Sequence, residues 1–121
     1  EEREHLDVLA GTLPEGLALR TAPVAILVCC NTRQAGLDGG NWPQELGASV
    51  QNLMLQAYGE KLGTTWVGIY PQMHRVHQVK TLFHLSSEFV PFAVVAIGRS
   101  ADEQSTVPER YDPSKIHFIT R

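Results

Sequence analysis

Long apolar runs are missing from this sequence, and so is any block of basic residues. The longest apolar stretch, Pro23 to Cys30, is far too short to span a bilayer, which takes about 20 apolar residues as a helix. No membrane partner is expected. Lys and Arg number 10 against 13 Asp and Glu, for a net charge of −3. With no Lys/Arg cluster, neither nucleic acid nor an anionic membrane has a field to follow. Charged residues are somewhat few, at 19%, which leaves room for a buried subunit contact. The chain opens Glu1-Glu2-Arg3-Glu4, the wrong chemistry for the basic start of a signal peptide, so a cytoplasmic location is expected.

Cysteine is equally scarce. Cys29 and Cys30 are the only two, and they are adjacent. Neighbours on a strand point to opposite faces and are poorly placed to bond each other. That excludes a secreted disulfide framework and leaves two buried thiols of a cytoplasmic protein. Several catalytic signatures are missing too. There is no HExxH and no CxxC. His74 and His77 stand three apart on an expected helix and could share a metal, but no third ligand follows at a recognisable spacing. With Lys80 and His84 they read as a solvated polar face, and no metal site is expected. No GxSxG elbow occurs. Gly36-x-x-Gly39-Gly40 matches neither GxGxxG nor a P-loop, and reads as a surface loop.

What is present suits one domain of 121 residues, 43% apolar, burying roughly two-thirds of its unfolded surface. Leu6, Leu9 and Ala10 predict a short helix over Arg3–Ala10. Ala22–Cys30 is continuous and apolar, as a strand buried on both faces should be. Asn41, Pro43 and Gln44 mark a helix start with a capping box. The stripe Leu46, Val50, Leu53/Met54, Ala57, Tyr58 follows the helical period, and Gly63 is expected as the C′ residue that ends it. A helix this apolar belongs to a core or a dimer interface. Thr64–Tyr70 is a strand stopped by Pro71, and a helix follows from Gln72 to about Leu82. Phe89–Ile97 is a second apolar strand, with Pro91 near its start. Ser100–Pro108 reads as loop, and Lys115–Thr120 as a short terminal strand. Strands and helices alternate, for an α+β or α/β domain.

Two places could bind a ligand. Gly68-Ile69-Tyr70-Pro71 sits where a strand gives way to a helix. Free backbone N–H groups there, backed by a helix N-terminus, favour electron-rich atoms, and Gly68 lets a flat ligand approach the backbone. The same residues also make an ordinary strand-to-helix turn, and physics alone favours that reading. Arg110 could hold a phosphate with its guanidinium fork, or simply be solvated or paired with Asp112.

The ordered set of segments resembles the nitroreductase family. Ala22–Val28 is similar to its first apolar strand, Trp42–Leu55 to its central helix, and Gly63–Pro71 to its strand and turn. Val90–Gly98 is similar to its second strand, and Arg110-Tyr111-Asp112 through Ile116-His117 to its tail. The resemblance implies a nitroreductase-like α+β fold, with a mainly antiparallel central sheet flanked by helices and an extended C-terminal strand. It implies a homodimer with FMN at the subunit interface. NADH or NADPH reduces the flavin, which then passes hydride or electrons to a small nitroaromatic, quinone or similar acceptor. Carried over residue by residue, Gly68, Ile69 and Tyr70 line the flavin ring with backbone N–H groups near N5 and O4, and Arg110 contacts the phosphate. Two features depart from the family. Arg99-Ser100 stand where an aromatic residue and proline often follow Gly98. The family's N-terminal Arg-Arg-Ser segment has no counterpart, so residues 1–121 read as a nitroreductase-like domain incomplete at the N-terminus. The alternatives are a non-catalytic relative serving as a binding or assembly module, and a metal enzyme built on His74 and His77.

Overall fold

The two apolar runs pair with each other, and the second of them also pairs with the run that lies between them in sequence. In the computed structural model, which describes residues 2–13, 15–35, 40–101 and 107–119, β1 (Val24–Asn31), β2 (Gly63–Gly68) and β3 (Phe89–Gly98) form one sheet in the order β1-β3-β2. Both pairings are antiparallel. Three helices flank the sheet: α1 (Glu2–Thr12), α2 (Trp42–Gly59) and α3 (Met73–Leu82). Short 3₁₀ turns cover Gly16–Arg20 and Pro113–Lys115. No helix among the described residues is long and apolar enough to cross a membrane.

The period-2 alternation of β3 sorts its side chains into two cores. Val94 and Ala96 face Leu9 and Leu13 near α1, Leu19, Val67, and Val76 and Val79 of α3. Ala93, Val95 and Ile97 face Val50 of α2, with Leu46, Leu53 and Met54 packed around it. The strand buried on both faces is therefore β3, not β1 as its composition suggested. In β1, Val24 is 50% and Ile26 40% exposed. Position explains the difference: β1 lies at a sheet edge, while β3 has a strand on each side and a helical layer on each face.

Pro91 is tolerated in a central strand because the ladder is irregular beside it. Val28 faces Ala93 and Cys29 faces Pro91, so Phe92 has no partner in β1. Such a bulge is where a strand can accept a residue lacking an N–H. It also sends the consecutive residues Phe92 and Ala93 into the same core.

Local capping differs from expectation at both ends of α2. Asn41 makes no side-chain cap bond, because its backbone is helical (φ −98°, ψ −12°) instead of extended, as a capping side chain requires. Its carbonyl accepts from the N–H groups of Gln44 and Glu45 instead. At the other end the chain turns two residues before Gly63. Lys61 adopts φ 61°, Leu62 N–H donates to the Ala57 carbonyl, and Lys61 N–H donates to the Tyr58 carbonyl. This is a Schellman closure with lysine in the place glycine favours. Lys61→Gly should stabilise the fold by about 1 kcal/mol, since left-handed backbone costs a side-chain-bearing residue about 1–2 kcal/mol. An unchanged or lower denaturation midpoint would contradict that reading of the turn.

The expected terminal strand is not a strand of this sheet. Residues 116–119 carry no ladder pairing, and Phe118 and Ile119 are 88% and 99% exposed. The sheet has open edges at β1 and β2, and the segment pairs with neither. Thr120 and the glycines at 36 and 39 lie outside the described residues.

Candidate functional site

β2 ends at Gly68, and Pro71 and Gln72 lead into α3. The turn between them is held from three directions. The Phe92 carbonyl, which continues the β2–β3 ladder one step past Gly68, accepts from the N–H groups of both Ile69 (3.1 Å) and Tyr70 (3.0 Å). The Ile69 carbonyl accepts from Gln72 N–H at 3.1 Å. On the far side, Arg75 Nη1 donates to the Gly68 carbonyl at 2.9 Å. The two N–H groups thought free at this turn are thus engaged, because the β2–β3 register carries Phe92 opposite Ile69. The N–H groups still lacking a helical partner are those of the first turn of α3.

The candidate residues occupy different environments. Ile69 is wholly buried and packs in the α1/α3 core, so only its backbone is available to a ligand. Tyr70 is half-buried and touches both cores. Its ring lies 4.6 Å, centroid to centroid, from that of Trp42, and Trp42 and Trp66 both approach Phe92 at 6.2 and 5.9 Å. Gly68 is half-buried with clear space beside it. A Cβ built there meets no atom within 4 Å. The result is an open face of backbone with an aromatic cluster at its flank.

Arg110 lies apart in the irregular segment 107–112. It is exposed, and no hydrogen bond or ion pair joins it to the turn among the described residues. It is not paired with Asp112 either. That carboxylate accepts from the Ser114 hydroxyl (2.6 Å) and N–H (3.1 Å) and faces Lys115 at 3.6 Å. These hydrogen bonds, the hydroxyl's first, hold it below the usual carboxylate range. His74 and His77 are exposed on α3. No group of three or more His, Cys, Asp or Glu residues among those described could hold a metal. Cys29 is half-buried and Cys30 buried, both as free thiols, and burial pushes both thiols up.

Three clefts lie away from the turn. One of about 240 Å³, lined by Thr21, Pro23, Gly63, Thr65, Gly98 and Ser100 among others, is at the opposite end of β2. The second, of about 580 Å³, runs between α3 and the start of β3, and the third, of about 280 Å³, between α1 and β1. Gly68, Ile69 and Tyr70 line none of them. The turn thus lies outside all three clefts, and its face at Gly68 stands open.

Reasoning from sequence passed over Arg75, Phe92 and Trp42 as site residues. Phe92 and Trp42 read as core aromatics, and the bulge that turns Phe92 is a pairing property. Arg75 did leave a signal. It is the third residue of a helix, where the positive end of the macrodipole disfavours a cation.

The architecture is that of a known class of α+β domains. A structure from Clostridium acetobutylicum, provisionally named an NADH oxidase, superposes with TM-score 0.90 at 31% identity, over 97% of this chain and 70% of that one. A provisionally named nitroreductase from Desulfovibrio desulfuricans, solved in complex with FMN, gives TM-score 0.69 at 30% identity, over 88% of this chain and 60% of that one. More particularly, the sequence model of the Nitroreductase family matches residues 2–99, and the chain belongs to that family. A relative from Methanothermobacter thermautotrophicus, provisionally named an NADH dehydrogenase/NAD(P)H nitroreductase, is 35% identical over 116 residues. That match covers 96% of this chain and 60% of the relative's length.

Proposed function

We propose that this chain forms part of an FMN-dependent oxidoreductase that takes hydride from NADH or NADPH and passes it to a small nitroaromatic, quinone or similar electron-poor acceptor. The observation that carries the reading is the open backbone face at Gly68, in a family where a relative 30% identical in sequence is described in complex with FMN. The residues suit such a ligand. A planar ring can lie on backbone where no Cβ intervenes, the Tyr70–Trp42 pair offers it an aromatic flank, and the turn beneath is pinned by Phe92 and Arg75. When bound, the flavin supplies the redox chemistry, and the protein positions it and keeps water away.

Arg110 is assigned to the flavin phosphate, as an exposed guanidinium not taken up by Asp112. We assign the other walls of the site to a second copy of the chain. Exposed Leu55 and Tyr58 on α2, and exposed Ile116, Phe118 and Ile119 in the tail, supply apolar surface for a two-fold contact. The setting is the cytoplasm, where unpaired thiols such as Cys29 and Cys30 stay reduced.

The test is FMN titration followed by sedimentation. The protein should take up FMN, turn yellow, and sediment as a dimer at micromolar concentration. A well-folded protein that takes up no flavin would point instead to a binding or assembly module. A flavin-loaded, stable monomer would remove the dimer while leaving the cofactor in place.

A further inference from the structure

The guanidinium of Arg75 is the least expected charge in the molecule. Its side chain is only 13% exposed. Nη1 donates to the Gly68 carbonyl at 2.9 Å and to Glu15 Oε2 at 3.2 Å, while Nε is buried with no hydrogen-bond partner among the described residues. Three features at this position work against a cation. It lies in the first turn of α3, at the positive end of the helix dipole. It has given up most of its water. One of its donors is left unmet, which costs free energy in a buried group. Its carboxylate partner Glu15 is 59% exposed, and such a pair recovers little.

Geometry shows what the arrangement achieves. A helical side chain leans back over the turn before its own Cα, so Arg75 reaches seven residues upstream to Gly68. There it fixes the carbonyl of the Gly68–Ile69 peptide, and the N–H of that same peptide is held by the Phe92 carbonyl. Both ends of one peptide unit are therefore clamped, from opposite elements, at the glycine whose face is open.

We infer that Arg75 is a positioning residue for the ligand face at Gly68: it locks the Gly68–Ile69 peptide in the one orientation that presents a flat, preorganised surface. The inference rests on the flavin reading above. It gives that reading a device the turn otherwise lacks, because glycine without a clamp is the most mobile of residues. Preorganisation of this kind strengthens binding by removing the cost of ordering on contact. Glu15 serves only to orient the guanidinium from the solvent side.

Three variants test it: Arg75→Met, which keeps the bulk, Arg75→Lys, which keeps a donor and a charge, and Glu15→Gln. FMN affinity is measured by fluorescence titration, the flavin midpoint potential by dye equilibration, and the denaturation midpoint on the protein without flavin. Arg75→Met should weaken FMN binding by about tenfold, which is about 1.4 kcal/mol, and shift the midpoint potential. Arg75→Lys should recover most of the affinity, and Glu15→Gln should leave it within about twofold. A purely structural arginine would lower the denaturation midpoint of Arg75→Met and leave affinity and potential as they were, and that outcome overturns the inference. Should Arg75→Met fail to fold, Arg75→Gln, whose shorter side chain stops short of the Gly68 carbonyl, takes its place on the same readouts: a weakened affinity and a shifted potential in a fully folded protein support the clamp, and affinity and potential both unchanged overturn it. Failure of the flavin reading looks different, because the unsubstituted protein would then bind no FMN at all.

Discussion

Gly68→Val is expected to weaken FMN binding by about 5- to 140-fold with no loss of helix content. The two halves of that expectation come from one observation. A Cβ at this position meets nothing within 4 Å in the folded chain, so the protein has room for the new side chain, and valine suits the end of a strand. A ligand lying on the backbone has no such room. Forcing methyl groups into a filled contact costs about 1–3 kcal/mol, and each 1.4 kcal/mol is about tenfold in affinity. Gly68→Ala should give a smaller loss in the same direction. The measurement pairs FMN titration with far-ultraviolet circular dichroism. Affinity unchanged in Gly68→Val would take the turn out of the site, however well the protein folds.

Arg110→Ala is expected to weaken FMN by about 10- to 150-fold and to leave riboflavin nearly untouched. The phosphate is the one group that FMN has and riboflavin lacks. A hydrogen bond to a charged group is worth roughly 1.5–3 kcal/mol, and a guanidinium can offer a phosphate two parallel donors. The structure strengthens the contrast. Arg110 is exposed and outside both cores, and Asp112 is occupied by Ser114 and Lys115. Its loss should therefore not disturb the fold, and any change can be attributed to the ligand. Equal losses for the two flavins would make Arg110 structural. No loss for either would detach the 107–119 segment from the cofactor altogether.

Phe92 links these expectations. Its carbonyl holds the N–H groups of Ile69 and Tyr70, which removes both from the donors available to a ligand. Donors toward the flavin must then come from Gly68, from the first turn of α3, or from the second subunit. Contact through N–H groups of residues 69 and 70, as the family resemblance implied, requires that turn to rearrange on binding.

Much of the fold was legible in the residues. Val90–Ile97 and Val24–Cys30 are apolar runs of strand length, the Leu46–Tyr58 stripe has the helical period, and Pro71 stops β2. The structure has strands and helices at each of these places. Local sequence encodes them because hydrophobic period and turn chemistry act over a few residues. The helix ends were less legible. Asn41 and Gly63 carry the right residue types for caps, yet the cap at one end is absent and at the other falls on Lys61. Capping depends on backbone angles that the neighbouring packing sets.

What the sequence determined by itself is the three helices and the three strands of the sheet, the absence of charge blocks and metal motifs, and the glycine at the end of β2. Tertiary structure alone decided which strand is central, and hence that β3 and not β1 is buried on both faces. It also decided that Phe92 bulges and that Arg75 closes on Gly68 across seven residues. The physical reason is common to all three. Burial and hydrogen-bond partners belong to pairs of distant segments, and composition states what a segment can bury without stating which neighbour will cover it.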